Sequence, residues 1–317
     1  MKRIAKVFLS IILLGLIIFM LVMAGYNWNF NSLINGKYET NTYEITEKFT
    51  DINIATDTAD IQFKLSDNKK CIVECYEKEK EKHSVAVLND TLNINVIDQR
   101  EWFDFICINS VSPKITVYLP EIHYSTLLVD ESTGDIEIPK DFKFENANIS
   151  LSTGDVEFSA SAEKLINIEA STGDINLRDN SAEEIILSTS TGGIYVSNIV
   201  CQGDINASVS TGKTYLTDVE CRNLLSSGDT GDLSLTGVIA KEKFSIERDT
   251  GDVNFQYSDA NEIFIETDTG DISGSLLSDK VYIIETDTGD IDVPKTITGG
   301  RCEITTDTGD IRITVDN

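Results

Sequence analysis

Apolar and polar residues alternate along most of the chain, and beyond residue 130 the alternation restarts at a fixed interval. Apolar side chains occur two and four residues after a recurring glycine, and five and seven residues before it. A period of two is typical of strands that bury one face. The pattern therefore predicts short strands separated by turns, without helices in this part of the chain.

The recurring glycine belongs to a Thr-Gly-Asp tag or a close variant of it. The tag glycines are Gly134, Gly154, Gly173, Gly192, Gly212, Gly231, Gly251, Gly270, Gly289 and Gly309, at intervals of 19 or 20 residues. Glycine suits a tight turn because positive φ costs it little, and Thr and Asp side chains hydrogen-bond nearby backbone. One unit cannot bury its own apolar face, so the units must stack. We predict an all-β fold, a parallel β-solenoid (β-helix) of 19–20-residue coils over residues 131–317.

Residues 38–130 show the same alternation in a less regular form, and Thr58-Ala59-Asp60 resembles a worn tag. Terminal repeats of a solenoid are atypical because an end coil must cap the stack. We expect a degenerate solenoid or capping region here. The one candidate insertion, 98–108, contains Trp102, Phe103 and Phe105, which either cap the core or form a binding surface.

The N-terminal segment has a different character. Basic residues within positions 1–6 precede an apolar run of 18 residues, Val7–Ala24. At about 1.5 Å per residue, a helix of this length covers roughly 27 Å, close to the hydrocarbon thickness of a bilayer. The positive flank stays inside, so the remainder is placed outside. We predict a transmembrane anchor at 7–24 and a stalk at 25–37, with a cleaved signal peptide as the alternative.

Charge is concentrated in the repeats. The chain has 53 acidic and 26 basic residues, a net charge of −27, and 36 of the acidic residues lie in residues 131–317. Nucleic-acid binding needs clustered Lys and Arg, so no nucleic-acid partner is expected. Such a surface attracts cations or basic partners instead.

Within the tag, the residue two positions before the glycine is serine in the first five coils and aspartate in the last five. Two carboxylates then flank each glycine, as the pairs Asp229 and Asp232, Asp249 and Asp252, Asp268 and Asp271, Asp287 and Asp290, and Asp307 and Asp310. Stacked carboxylates about 4.8 Å apart repel each other. Either a row of Ca²⁺ ions neutralises them, or each aspartate hydrogen-bonds its own turn and stays solvated. The calcium hypothesis predicts a melting temperature that Ca²⁺ and chelators change.

The six cysteines form no Cys-x-x-Cys pair, and the chain has only two histidines, so no zinc site is predicted. Cys201 and Cys221 each follow a tag glycine by nine residues, in adjacent coils. Equivalent positions lie about 4.8 Å apart, within the range of a disulfide. The two residues form either a disulfide or a reduced, half-buried pair.

Catalysis is not indicated by any motif. Asp-Thr-Gly resembles the triplet of aspartic proteases, but those enzymes place two such loops across a cleft. Enzymes with a β-helix that cleave polysaccharides build their clefts from long loops between coils. Intervals of 19 or 20 residues leave no room for such loops after residue 130. We predict no catalytic residues and no cofactor other than the calcium considered above.

Three features together resemble one known family. They are the apolar N-terminal segment, an early β region that ends in Ile-Thr-Val-Tyr-Leu-Pro (Ile115–Pro120), and the repeated Ser/Thr-Gly-Asp-Ile tags. They resemble the DUF4097 family, which carries the label "putative adhesin", over roughly residues 45–317. The resemblance implies a bacterial, Gram-positive envelope protein without catalytic residues. It also implies that the gene for this protein lies near genes for envelope stress or transcriptional regulation.

We therefore predict a non-catalytic, adhesin-like rod that projects from the cytoplasmic membrane and binds or scaffolds an envelope protein or polysaccharide. A regulatory accessory protein of the envelope-stress response is the alternative, and a polysaccharide-active enzyme is a third possibility. The last strand pattern, Ile311–Val315, should leave an open edge that Asp307, Asp310 and Asp316 protect. We expect a monomer with weak end-to-end association.

Overall fold

The computed structural model describes residues 2–25, 28, 38–98 and 112–316, and no side chains before residue 11. Within these residues it contains one helix, α1 (Lys2–Gly25), followed by 25 strands. Most of the predicted stalk lies outside these described parts, as do Cys107, Trp102, Phe103 and Phe105. The predicted span begins at Val7, whose backbone belongs to α1.

Helix α1 lies in the segment for which the sequence predicts a membrane anchor. Among the described residues, no helix combines the length and the apolar character needed to cross a membrane.

The repeats form a stack of parallel coils. Their strands are β8 (His123–Thr133), β9 (Ile136–Ile138), β10 (Lys143–Thr153), β11 (Val156–Phe158), β12 (Ser161–Thr172), β13 (Ile175–Arg178), β14 (Ser181–Ala182), β15 (Glu184–Thr191), β16 (Ile194–Cys201), β17 (Asp204–Thr211), β18 (Thr214–Thr230), β19 (Leu233–Thr250), β20 (Val253–Thr269), β21 (Ile272–Leu276), β22 (Lys280–Thr288), β23 (Ile291–Asp292), β24 (Gly300–Thr308) and β25 (Ile311–Val315). Thr153, directly before a tag glycine, pairs with Thr133 on one side and Thr172 on the other. The coils therefore stack in register, and the predicted all-β parallel solenoid is confirmed.

The core is a set of aliphatic columns that run along the stack. Ile149, Ile168 and Leu187 are successive partners on one inner wall, and Val156 and Ile175 are partners on another. All five are at most 2% exposed. Because burial of such a side chain contributes about 1.5–3 kcal/mol, the stacking of coils is the main source of stability.

The first strands complete the N-terminal end of the stack. They are β1 (Tyr38–Ile45), β2 (Asp51–Thr58), β3 (Asp60–Leu65), β4 (Cys71–Lys78), β5 (Glu81–Leu88), β6 (Thr91–Asp98) and β7 (Lys114–Leu119). Strands β2 and β3 form a coil in parallel with β8 and β9, and Thr58 pairs with Thr133. The worn tag thus occupies the same corner as the regular tags. Strands β6 and β7 add in parallel on its other side.

Strands β1, β4 and β5 are antiparallel to their neighbours, and they close this end of the stack. β1 pairs with β4, β4 with β5 and β7, and β5 with β6. Alternation of apolar and polar residues is the same in both strand directions, so the sequence pattern did not predict the change to antiparallel pairing.

At the other end, the order of coils differs from the order of the chain. The last coil, β24 and β25, lies between the coil of β20 and β21 and the coil of β22 and β23. Ile311 consequently pairs with both Ile272 and Ile291. The predicted open edge is therefore wrong for Ile311 and Arg312, which β23 covers, whereas residues 313–315 pair only with β21 among the described strands. Repeats of equal length and register permit either stacking order.

The outermost coil at this end is β22 and β23. In the described part of the chain, no strand pairs with the outer side of β22, whose Val281 and Ile283 are 38% and 49% exposed. The longer exposed edge therefore belongs to the penultimate repeat of the sequence.

Candidate functional site

The tag corner depends on a close approach between successive glycines. Gly173 has a φ of 141°, and a Cβ at this position would lie 1.8 Å from the carbonyl oxygen of Gly154. The amide of Gly173 donates to the carbonyl of Thr191 in the next coil, at 2.9 Å. Only glycine satisfies this backbone conformation and this spacing, so the corners form one straight row.

The aspartates that directly follow the glycines form what we call the inner column. Oδ1 of Asp135 accepts a hydrogen bond from the amide of Asp155 at 2.9 Å, and Asp155 accepts one from Asp174 at 2.7 Å. The same contact joins Asp252 to Asp271 at 2.9 Å. Members of the column are Asp60, Asp135, Asp155, Asp174, Asp232, Asp252, Asp271, Asp310 and Asp290. Apart from Asp290, whose amide is the donor in its contact with Asp310, these carboxylates accept hydrogen bonds from the adjacent coil. One of the two sequence-based alternatives had placed these hydrogen bonds within each aspartate's own turn.

The predicted aspartates two positions before the glycines form the outer column. They are all exposed to solvent, and in stacking order they are Asp229, Asp249, Asp268, Asp307 and Asp287. Among the described residues, no group of three carboxylates from the two columns has its oxygen atoms within 4.8 Å of one another, as a shared metal ion would require. The two columns are therefore parallel rows of negative charge, and the calcium hypothesis stays a prediction.

We expect the two columns to respond differently to mutation. Asp271→Ala removes the acceptor for the amide of Asp310, a 2.8 Å bond, and should destabilise the protein by about 1 kcal/mol. Asp268→Ala, in the same tag, removes an exposed charge and should change stability by less than about 0.5 kcal/mol. Urea unfolding followed by circular dichroism measures both variants. Equal effects would contradict the structural role of the inner column.

The inner column is interrupted in the middle of the stack. Gly193 and Lys213 take the positions that hold aspartate in other coils, and Nζ of Lys213 lies 3.0 Å from Oδ2 of Asp232. This contact is the main cause of the lowered pKa of Asp232. Beside the gap, the partly exposed rings of Tyr195 and Tyr215 stack with centroids 5.5 Å apart. A short aromatic and basic segment thus separates two acidic ones.

A buried arginine explains two polar exceptions in the aliphatic columns. Arg248 is 3% exposed, and its guanidinium donates to Oγ of Ser226 at 2.7 Å and to Oγ1 of Thr214 at 3.5 Å. It also donates to the carbonyl of Glu247 at 3.0 Å. Gly228 provides the space, because a Cβ there would lie 2.8 Å from Nη1 of Arg248. Burial lowers the pKa of Arg248 to about 10, so the side chain is charged at neutral pH.

Cys201 and Cys221 are free, buried thiols in the structure. The flanking pairs, Ile199 with Val219 and Val200 with Glu220, place them at equivalent positions of adjacent coils. Burial raises the pKa of Cys201 to about 11 and that of Cys221 to about 12. Both thiols are therefore protonated at neutral pH, and a disulfide between them stays a prediction.

In an oxidising compartment we expect Cys201 and Cys221 to be linked, because their coils hold them at the spacing a disulfide requires. The chain is alkylated after denaturation without reductant and then analysed by peptide mass spectrometry. Cys302 is the control, since it is also buried but pairs with Ile263 and Tyr282 rather than with a cysteine. Full alkylation of all three thiols would show that the bond does not form.

The fold and its corner columns define a single class of protein, a parallel β-solenoid with a repeated Thr-Gly-Asp corner. The chain belongs to the family described as Toastrack DUF4097, which matches residues 49–209 and 202–317. This confirms the resemblance seen in the sequence. No curated protein matches the chain.

Several solved structures are similar to this chain. One, described as a "putative adhesin" from Parabacteroides distasonis, is 9% identical, with 86% of this chain and 99% of that chain covered and a TM-score of 0.48. A "putative lipid binding protein" from the same species is 20% identical, with coverages of 77% and 99% and a TM-score of 0.48. A "putative cell adhesion protein" from Clostridium sporogenes is 12% identical, with coverages of 88% and 100% and a TM-score of 0.24. Identities this low assign no function to the chain.

Proposed function

We propose that this protein is a non-catalytic binding or scaffolding rod of the bacterial cell envelope. The observation that carries the proposal is the outer column, a row of five exposed carboxylates in register on a straight face of the stack. Such a row offers many equal, weak contacts rather than one enclosed site. It suits a partner with repeated positive charge, either a basic envelope protein or a polysaccharide that carries amino groups.

Helix α1 is proposed as the anchor of this rod in the cytoplasmic membrane. Most large apolar side chains between Ile11 and Leu21 are exposed, and Leu13 and Leu14, for example, are 60% and 58% exposed. A continuous apolar surface of this kind needs a nonpolar environment. Lys2, Arg3 and Lys6 at the start of the helix favour the cytoplasmic side for the N-terminus. In this arrangement the solenoid projects outside the cell.

A polar groove lies at Glu183, Glu184 and residues 202–204, away from the tag corner, and its contacts support binding rather than catalysis. Asp204, one of its carboxylates, accepts hydrogen bonds from Nε of Arg222 at 2.9 Å and Nδ2 of Asn223 at 2.8 Å. These donors lower the pKa of Asp204, with Arg222 as the largest cause. A carboxylate held ionised in this way is a poor general acid.

The test of the proposal compares two variants with the same net charge. The column variant replaces Asp229, Asp249, Asp268, Asp287 and Asp307 with asparagine. The matched control replaces five exposed glutamates outside the column and the groove with glutamine, namely Glu121, Glu157, Glu220, Glu242 and Glu262. Immobilised full-length protein is used to capture partners from solubilised envelope and from purified wall polysaccharide. We expect the column variant to lose binding about tenfold or more, and the control to retain it. Equal loss in both would show that net charge alone, and not the column, attracts the partner.

We also propose that the protein is a monomer in solution, although β22 presents an open edge. Glu285, Asp287 and Asp290 on the outermost coil are exposed, and like charges oppose pairing of two such edges. Light scattering at low ionic strength should give the mass of one chain. High salt screens the repulsion and should allow weak association. Stable filaments at every salt concentration would contradict the proposal.

A further inference from the structure

Three potential metal ligands meet at the N-terminal end of the solenoid, away from the acidic columns. One ligand atom each from Cys75, Glu77 and His83 lie within 4.8 Å of one another. All three residues are buried, with Cys75 and Glu77 at 0% exposure and His83 at 3%. Cys75 and Glu77 are two apart on β4, and so they point to the same face, while His83 is on β5.

The imidazole of His83 is oriented for a ligand role. Its Nε2 lies 2.8 Å from Oγ1 of Thr56, and its Nδ1 lies 2.7 Å from Oε2 of Glu77. When Nε2–H donates to the threonine hydroxyl, the lone pair of Nδ1 points into the cluster. A hydrogen bond of this kind from the second ring nitrogen accompanies almost every metal-binding histidine.

The carboxylate of Glu77 is also held by its surroundings. Oε1 accepts a hydrogen bond from Nδ2 of Asn41 at 2.6 Å, and Oε2 accepts one from the amide of His83 at 2.6 Å. A fully buried carboxylate is costly unless a positive charge balances it. Lys82 interacts electrostatically with Glu77. A cation between the three side chains would place the balancing charge directly at the buried carboxylate.

We propose that Cys75, Glu77 and His83 bind one Zn²⁺ ion that joins β4 and β5 to the end of the stack. Sulfur, imidazole and carboxylate are the three ligand types that zinc accepts. Zinc bonds of about 2.0–2.3 Å put tetrahedral ligand atoms roughly 3.3–3.7 Å apart, so the cluster needs shifts on the order of 1 Å. The three protein ligands belong to two strands of the antiparallel end, so the ion links these strands and keeps its fourth position open.

The proposal is tested by titrating metal-free, full-length protein with Co²⁺, which takes zinc sites and gives a thiolate-to-cobalt absorption band in the near ultraviolet. We expect one Co²⁺ per chain, displaced by Zn²⁺, and a rise in melting temperature with Zn²⁺. Cys75→Ser should abolish the band. Cys71→Ser is the matched control, because Cys71 is buried on the same strand but lies outside the cluster, and it should retain the band.

Two further measurements keep the proposal testable if Cys75→Ser does not fold. His83→Gln should weaken Zn²⁺ binding at least tenfold, because glutamine keeps a polar contact but loses the imidazole ligand. If neither variant folds, measurements on the wild-type protein alone test the proposal. Absence of a thiolate band, with no zinc retained after dialysis, would overturn the proposal and leave the cluster as a hydrogen-bonded Glu77–His83 pair. A band that survives Cys75→Ser would also overturn it.

Discussion

Replacing Gly192 with alanine should destabilise the protein by about 3–5 kcal/mol, the combined cost of strained backbone and overlap in a packed corner. The φ of Gly192 is 143°, a conformation that alanine rarely adopts. Its Cβ would also lie 2.0 Å from the carbonyl oxygen of Gly173 in the adjacent coil. Neither atom can move without separating two coils. Denaturant unfolding followed by circular dichroism measures the loss.

The adjacent glycine provides the control for this experiment. Gly193 has no positive φ in the structure, and the three atoms nearest to a Cβ there are outer atoms of the Tyr195 side chain, at 2.6–2.7 Å. That ring is partly exposed and can rotate away. Gly193→Ala should therefore cost less than about 1 kcal/mol. Similar losses for the two neighbours would refute the role of glycine contact in aligning the corners.

A buried glutamate should make the solenoid less stable as the pH rises. Glu131 is 1% exposed, and Oε1 accepts hydrogen bonds from the amides of Thr133 at 3.1 Å and Ala59 at 3.3 Å. Its Oε2 has no hydrogen-bond partner among the described residues. Burial is the main cause that raises the pKa of Glu131 from 4.5 to about 8, with smaller contributions from Asp57 and Asp60.

The sign of the effect follows from the proton balance between the folded and unfolded chains. Between pH 4.5 and about 8 the folded protein holds a proton on Glu131 that the unfolded chain releases. The stability from this group is thus complete below pH 4.5 and is lost as the pH rises through about 8. Since one pKa unit corresponds to about 1.4 kcal/mol, the loss amounts to several kcal/mol.

Glu131→Gln isolates this contribution, because glutamine has nearly the same shape but does not titrate. We expect the free energy of unfolding of the wild type to fall between pH 5 and pH 8 relative to that of the variant. The difference should be small near pH 5 and largest near pH 8, where the variant is the more stable protein. Parallel stability curves for the two proteins would show that Glu131 is ionised in the fold.

The polar exceptions in the repeats show how far the sequence pattern predicts the core. Thr214 and Ser226 break columns that are otherwise aliphatic, and the pattern gives no reason for either. In the structure both accept hydrogen bonds from Arg248, whose side chain occupies the space beside Gly228. Four residues from three coils depend on each other here. Such coupling cannot be predicted from the repeat pattern, because an alignment of repeats compares each position only with the equivalent positions of other coils.

The buried cluster at the N-terminal end was missed for a related reason. The spacing of Cys75, Glu77 and His83 matches no metal-binding motif, and the sequence therefore predicted no zinc site. The only available signal was alternation on β4, which places Cys75 and Glu77 on one face. His83 joins them because β4 and β5 are antiparallel and adjacent, as the Lys78–Glu81 pairing shows.

The sequence by itself determined the repeating unit, the corner and the register. A glycine every 19 or 20 residues, with apolar residues at fixed distances from it, permits burial only when each coil lies on an identical neighbour. Only the tertiary structure decided which coils are neighbours at the two ends. Equivalent coils have equal length and matching apolar faces, so chain order does not select stacking order. Contacts between residues distant in the sequence decide the stacking order. They place the last coil of the chain inside the penultimate one, and they allow antiparallel strands to cover the first coil.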